Sequence, residues 1–278
     1  MQPTQAGPLR LDWGRRTYVM AIVNVTPDSF SGDGLAGDGA VERAVEQARR
    51  AAAEGADLVD VGGESTRPGH TPVDAAEETG RVVPVVAAIH AALPDLAISI
   101  DTTKAAVAAA ALDAGACLVN DVWGIAAEPA LLDLIAARKV PLVVMHNRAE
   151  PSYVNLMAEV IADLREGLER AVTAGIAWER LIVDPGFGFG KTPAHNLALM
   201  HDLAALLVLN RPILLGTSRK STLGRVLDLP PEQRVEATLA TTALGIAAGV
   251  DMVRVHDVQA NVRVARMTDA IVRRGASE

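Results

Sequence analysis

Eight short apolar runs recur along the chain. They span residues 18–25 (YVMAIVNV), 56–63 (ADLVDVGG), 97–103 (AISIDTT) and 117–122 (CLVNDV), then 140–146 (VPLVVMH), 180–186 (RLIVDPG), 211–217 (RPILLGT) and 251–257 (DMVRVHD). Each is rich in Val, Ile and Leu and shows little alternation, the pattern of a parallel strand buried on both faces. Between them lie Ala-rich stretches with helical spacing, at 40–53, 75–92, 105–114 and 153–174. Gly55, Gly115, Gly175 and Gly249 each stand just ahead of a strand, where a helix stop is expected. Strands alternating with helices over short links predict βα units and a parallel sheet. Eight such units suit a closed α/β architecture, a (β/α)8 TIM barrel. No Pro/Ser-rich linker or charge block divides the chain. A single domain over 18–274 is therefore expected, after a lead-in of residues 1–17 and before a polar tail at 275–278. Residues 9–16 are read as a plug for the barrel floor.

Composition narrows the function. The 278 residues carry a net charge of −8, which disfavours holding nucleic acid or anionic membrane by bulk charge. A local cationic pocket stays open. Hydrophobic residues make up 50%, so the chain is not disordered, and aromatics at 3% argue against stacking platforms for bases. The lone cysteine, Cys117, excludes a disulfide framework or a cysteine-based zinc site within one chain. A reducing, cytoplasmic compartment is the natural expectation. Residues 1–16 show no apolar secretory core, and no run approaches the length of a bilayer span.

Every strand ends on a polar side chain: Asn24; Gly62-Gly63-Glu64; Asp101-Thr102; Asn120-Asp121; His146; Asp184; Ser218-Arg219-Lys220; Arg254 and His256. In a barrel these ends meet at one face, where active sites of the fold lie. Any one of them could simply cap a helix. Lys220, Arg254 and His256 are not capping types, which weakens that explanation for the set. Asp101, Asn120 and Asp184 could line a slot for a flat, nitrogen-rich ring with several N–H donors. Arg67, Arg254 and His256, with Asn24, could hold an anion, since guanidinium forks match phosphate oxygens. A surface salt bridge is the plain alternative for the two arginines, and a poor one for Arg254 inside an apolar strand.

Two loops, 26–39 and 62–72, are long and glycine-rich. Such loops are commonly lids or binding loops, and Phe30 and Arg67 favour that use here. The stretch 184–191 (DPGFGFGK) does not fit G-x-x-x-x-G-K-[ST], because Gly186 lies four residues before Gly190. An ATP loop is rejected. The six histidines show no H-E-x-x-H spacing, and His90 and His201 read as helix-surface residues. No protein cage for a transition metal is indicated. A Mg2+ shared between a pyrophosphate and one or two protein oxygens fits better.

Seven stretches carry a family resemblance: NVTPDSFS (24–31), DVGGESTRPG (60–69), IDT (100–102), ND (120–121), DPGFGFGK (184–191), SRKS (218–221) and RVHD (254–257). Together they resemble the dihydropteroate synthases, folate-pathway enzymes inhibited by sulfonamides. The likeness covers roughly residues 18–274, in family order. It implies condensation of 6-hydroxymethyl-7,8-dihydropterin diphosphate with 4-aminobenzoate, giving 7,8-dihydropteroate and pyrophosphate. By the same resemblance Asp101, Asn120, Asp184 and Lys220 hold the pterin, with Met145 packed on its ring. Asn24, Arg67, Arg254 and His256 hold the diphosphate, Asn24 also reaching Mg2+. Phe30, Thr66, Pro68, Phe189 and Ser221 shape the aminobenzoate site. Asp101, Asp184, Lys220 and Arg254 carry the catalysis, and a homodimer is implied. Two stretches depart from the family. The first loop reads SFSGDG where many members read SFSDGG, so Asp33 is given no metal role. The connection after the fifth strand (MHNRAEPSY) is short.

Two rival functions share some of these residues. Pterin-dependent methyltransferases share the barrel but need no diphosphate pocket, and the set NVTPDSFS, STRPG and RVHD argues against them. A pterin-binding paralogue without catalysis would have no need of Asn24, Asp184, Lys220 and Arg254 together, while the altered first loop leaves that reading open.

Overall fold

A computed structural model describes residues 1–26, 39–64, 73–126 and 128–273. Two short strands, β1 (Thr4–Ala6) and β2 (Leu9–Leu11), open the chain. The barrel strands follow: β3 (Tyr18–Asn24), β4 (Leu58–Gly62), β5 (Ala97–Asp101), β6 (Leu118–Asp121), β7 (Leu142–Met145), β8 (Leu181–Asp184), β9 (Leu214–Leu215) and β10 (Met252–Val255). They pair in parallel in the order β8-β7-β6-β5-β4-β3-β10-β9. A parallel bridge from Val183 to Ile213 joins the two ends, with the Val183 amide donating to the Pro212 carbonyl at 2.9 Å. The eight expected strands are thus present as a nearly closed barrel.

Helices α1 (Ala40–Glu54), α2 (Ala75–Ala92), α3 (Ala105–Asp113), α4 (Pro129–Arg138), α5 (Leu156–Thr173), α6 (Pro193–His201), α7 (Ser221–Leu227), α8 (Val235–Ala247) and α9 (Val258–Val272) surround it. Two segments differ from the expected bounds for local reasons. The helix expected from 153 begins at 156, because Asn155 caps it: its side chain accepts from the Ala158 amide, and the Glu159 carboxylate takes the Val154 and Asn155 amides. The run at 211–217 yields a strand of two residues, since Pro212 has no N–H to give a ladder.

The floor is closed by the β1–β2 hairpin, so the plug starts earlier than residue 9. Leu11 and Trp13 pack beneath Met20, Leu58, Leu118 and Met252. The Trp13 indole N–H donates to the Thr4 hydroxyl at 2.8 Å, and that hydroxyl donates to the Glu179 carbonyl. Each such buried aliphatic side chain contributes about 1.5–3 kcal/mol by leaving water.

Strand parity places everything above this floor. Side chains two apart on a strand share a face. Leu58, Ala97, Leu118, Val143, Ile182 and Met252 belong to the interior floor cluster, while Val59, Ile98, Val119, Leu142 and Val183 belong to the outer core under the helices. Counting up by two from the floor gives Asp60, Ser99, Asn120, Met145, Asp184 and Arg254. A further step of two gives Asp101 and His256. The polar cup is therefore built on the same inward faces as the hydrophobic floor.

Candidate active site

Arg254 reaches into the cup from β10. Its Nε lies 2.5 Å from Asp60 Oδ2 and its Nη2 lies 2.9 Å from Asp101 Oδ2. Asn120 donates its amide N–H to the same Asp60 oxygen at 3.0 Å. One wholly buried carboxylate thus orients both Asn120 and Arg254. The remaining oxygens, Asp60 Oδ1 and Asp101 Oδ1, are buried without a hydrogen-bond partner, as is Ser99 Oγ. Buried acceptors left unpaired are costly and call for N–H donors from a ligand.

Asp184 lies in register with Met145 of β7. Its Oδ1 accepts from the Gly186 amide at 2.7 Å. Burial pushes its carboxyl up to about 6, while the Gly186 amide and the Lys220 charge pull it down. Burial also raises the Asp101 carboxyl. Arg254 opposes that rise, and the neighbouring Asp60 carboxylate adds to it. Arg254 itself is held firmly protonated: burial alone would lower it, and Asp60 and Asp101 outweigh that.

Lys220 comes from the turn before α7. Arg219 there adopts a left-handed backbone, φ 56°, which a non-glycine residue holds only when its surroundings enforce it. Its guanidinium grips Asp257 at 2.7 and 3.1 Å, and its carbonyl accepts from Arg234 at 2.9 Å. This pinned turn sends Lys220 to the mouth, where its ammonium sits 3.8 Å from the centre of the Phe189 ring. Phe187, two residues earlier, is buried in the core and anchors the same loop. Ser221 is exposed at the start of α7.

The rim carries Asn24, whose amide oxygen lies near Gly62 and Asp101; a Cβ on Gly62 would stand 3.8 Å from it and 3.5 Å from Asp101 Cβ. His256 Nδ1 is 2.9 Å from Ser218 Oγ. Among the predicted site residues, the described structure brings Asp101, Asn120 and Arg254 into one network. It places Asn24, Met145, Asp184, Lys220, His256, Phe189 and Ser221 at the same end of the barrel. Phe30, Thr66, Arg67 and Pro68 lie outside the described residues, as does the 27–38 part of the first loop.

Three strand-end residues turn elsewhere. His146 and Asp121 follow the inward Met145 and Asn120 by one position, so they face the helices. His146 bonds Asp163 and Lys191. Asp121 accepts from the Trp123 amide at 2.9 Å. Glu64 pairs with Lys104, which also holds Glu78. Sequence reasoning left Asp60 without a role, although its place two residues above Leu58 was a usable signal. The loop after β8 directs its amides inward: Gly188 N–H to Asn196 Oδ1 at 2.8 Å and Phe189 N–H to the Gly186 carbonyl at 3.1 Å. Those two amides are therefore engaged within the protein. Among the described residues no cluster of three His, Cys, Asp or Glu could hold a metal ion.

A (β/α)8 barrel whose mouth sets two buried carboxylates, each with one oxygen still free, on a fixed arginine suits a class of enzyme that binds a flat, N–H-rich heterocycle. The model of the pterin binding enzymes matches residues 20–256, and the chain belongs to that family. It is 48% identical to the dihydropteroate synthase of Clostridium beijerinckii, over 96% of this chain and 99% of that one. Among solved structures it is similar to the Yersinia pestis dihydropteroate synthase with a sulfonamide drug complex, with 40% identity, a TM-score of 0.92, and 97% and 99% of the two chains covered. It is also similar to the Xanthomonas albilineans enzyme in complex with 7,8-dihydropteroate, with 41% identity, a TM-score of 0.87, and 97% and 98% covered.

Proposed function

We propose that this chain catalyses the dihydropteroate synthase reaction: 6-hydroxymethyl-7,8-dihydropterin diphosphate and 4-aminobenzoate give 7,8-dihydropteroate and pyrophosphate. It is a transferase of folate synthesis. The observation that carries the reading is the pair of unpaired oxygens on Asp60 and Asp101, buried beside Arg254 and Asn120. They supply acceptors where a pterin presents N–H groups. Near full-length likeness to dihydropteroate synthases supports the same conclusion.

In this reading Asp101, Asn120 and Asp184 clasp the pterin edge, Met145 packs on the ring, and Lys220 donates to the ring carbonyl. The exocyclic CH2–O bond breaks as pyrophosphate departs. Positive charge grows on a carbon conjugated with the ring, and the carboxylates of Asp101 and Asp184 stabilise it. Arg254, His256, Asn24 and Arg67 receive the departing anion. The arylamine nitrogen then bonds to the CH2 carbon and sheds its proton to water, so no strong general base is needed. Phe189 and Ser221, with Phe30, Thr66 and Pro68, shape the aminobenzoate side. A sulfonamide, carrying a similar arylamine, would compete there.

A divalent ion fits only as one carried largely by substrate. Asn24 offers a neutral, hard oxygen at the rim, and the described residues hold no acidic cluster to cage it. Asn24 would hold Mg2+, which would neutralise charge on the leaving diphosphate.

Exposed apolar side chains on neighbouring outer helices favour a homodimer: Leu197 on α6, Leu207 and Val208 on the 3-10 helix Leu203–Leu209, Val226 on α7 and Leu244 on α8. Among the described residues no helix is long and apolar enough to cross a membrane. The lone, half-buried Cys117 thiol favours a cytoplasmic setting. The decisive experiment incubates the protein with pterin diphosphate, 4-aminobenzoate and Mg2+ and follows dihydropteroate and pyrophosphate. Absence of both products overturns the reading.

A further inference from the structure

Behind the cup, Lys191 occupies a site whose acceptors match its donors. Its ammonium lies 2.8 Å from His146 Nδ1, 3.1 Å from the Gly186 carbonyl and 3.1 Å from the Phe189 carbonyl. An ammonium has three N–H donors, and all three are used. His146 is wholly buried, and its Nε2 lies 3.1 Å from Asp163 Oδ2. The Asp163 carboxylate also takes Arg148 Nε at 2.8 Å, which fixes it in place. Burial, then the Lys191 charge, pushes the ring's pKa well below its ordinary value and favours the neutral form. The network assigns the His146 proton to Nε2, donated to Asp163, and leaves Nδ1 as the acceptor for Lys191.

This cluster fastens one loop. Residues 186–190 run close against the chain that continues β7. A Cβ on Gly186 would fall 1.8 Å from the His146 carbonyl oxygen, and one on Gly190 would fall 2.3 Å from that of Arg148. Both glycines have positive φ, 68° and 53°. Tyr153 adds its hydroxyl to the Gly190 carbonyl at 2.8 Å, so the short connection after β7 serves this contact. Lys191 draws the carbonyls at the two ends of Gly186–Phe189 onto one point. The Phe189 ring then meets the Lys220 ammonium, and the Gly188 backbone leans on the Lys220 side chain, 3.1 Å from its Cδ for an added Cβ.

We infer that Lys191, seated on the His146–Asp163 pair, is a positioning residue for the arylamine substrate: it holds the loop that keeps the Phe189 ring against Lys220. The inference rests on the proposed reaction and on Phe189 facing 4-aminobenzoate. Lys191 touches no substrate. Its effect passes through a backbone carbonyl.

The test measures KM for each substrate and kcat in wild type, Lys191→Met, His146→Leu and His146→Asn. Lys191→Met keeps the stem and removes the donors. It is expected to raise KM for 4-aminobenzoate about tenfold or more and to change KM for pterin diphosphate less than about threefold. His146→Leu removes the acceptor and should move the same constant in the same direction. His146→Asn can offer an amide oxygen near the place of Nδ1 and should recover much of the loss. Equal changes in both KM values, or a fall in melting temperature with both constants unchanged, overturns the inference. Should Lys191→Met fail to fold, the two His146 variants decide: Leu and Asn behaving alike overturns it. A wild-type protein without turnover is the separate failure of the proposed reaction.

Discussion

Arg254 closes onto Asp60 across the barrel, from β10 past β3 to β4, with Nε 2.5 Å from Oδ2. Asp60 is wholly buried, and Arg254 keeps only a fifth of its side chain exposed. The pair sits directly above the hydrophobic floor, where an unpaired charge would be intolerable. Its effect is to fix the mouth before any ligand arrives. Arg254 is committed through two nitrogens to Asp60 and Asp101, and Asn120 is turned by the same Asp60 oxygen. Preorganised groups of this kind need little rearrangement as charge develops.

Asp60 thus orients Asn120 and Arg254 through one oxygen and, on the proposed function, offers the other to the pterin, so its loss should be felt in stability and in rate. Asp60→Asn keeps the shape but removes the charge facing Arg254. Stability is expected to fall by about 1–3 kcal/mol, read by denaturant unfolding. The value of kcat/KM for pterin diphosphate should fall about a hundredfold, through misplaced Asn120 and Arg254. Wild-type kinetics in a stably folded Asp60→Asn would show that the network is structural only.

On the proposed function, Arg254 serves the diphosphate half of one substrate more than its pterin half. Arg254→Ala should weaken pterin diphosphate by about tenfold or more, and a pterin without the diphosphate far less. Titration calorimetry with both ligands checks this. Equal losses would remove Arg254 from the anion site and leave it only a partner of Asp60 and Asp101.

Removal of the divalent ion should affect turnover and not fold. The proposed ligand from the chain is a single neutral amide, Asn24, so no folding free energy depends on the ion. Chelation is expected to depress product formation, with recovery on adding Mg2+, while the unfolding curve stays unchanged. A melting temperature that falls on chelation would point to a resident structural metal.

The outer apolar face makes a prediction about assembly. Leu244 on α8 is well exposed, as are Leu207 and Val208. Leu244→Glu would bury a charge in any interface built on that face. Sedimentation equilibrium should show a dimer for the wild type and a shift toward monomer for the variant. A wild-type monomer at all concentrations would dismiss the homodimer.

Much of this architecture was legible because strand and helix announce themselves by different periods. The eight apolar runs gave the barrel, and their polar ends gave most of the mouth. What escaped was direction. His146 and Asp121 stand at strand ends like Asn120 and Asp184, yet one step of parity turns them toward the helices. Asp60 was hidden for the opposite reason: it sits in mid-strand, inside an apolar run, where its partner Arg254 lies 194 residues away. The β1–β2 hairpin was not foreseen either. Its strands have three residues each, too few to show a period. Lys191 closes a stretch that served the family resemblance and was compared with a nucleotide loop, and nothing in its spacing points to His146.

Asp184 should reveal a conflict between stability and function. Its carboxyl, ordinarily near 3.8, is pushed up to about 6 by burial. The unfolded chain therefore releases this proton at lower pH than the folded one. As pH rises from about 4 to about 6 the unfolded state gains ionised carboxylate first, and this group's contribution to stability falls. Above about 6 the loss is complete, on the order of 2–3 kcal/mol. Asp184→Asn carries no charge and escapes the penalty. The variant is expected to be more stable than wild type at pH 7.5, with the gain shrinking to nothing near pH 4. It should nonetheless be nearly inactive, because an ionised acceptor facing the pterin N–H groups is lost. The same logic sets the pH dependence of the wild type: kcat/KM for pterin diphosphate should fall as pH drops through about 6, when Asp184 takes up its proton. Denaturant unfolding of both proteins across this range, beside a pH–rate profile, checks both halves. A variant that is less stable at pH 7.5, or a wild-type profile flat from pH 5 to 8, would show that burial does not govern this carboxyl.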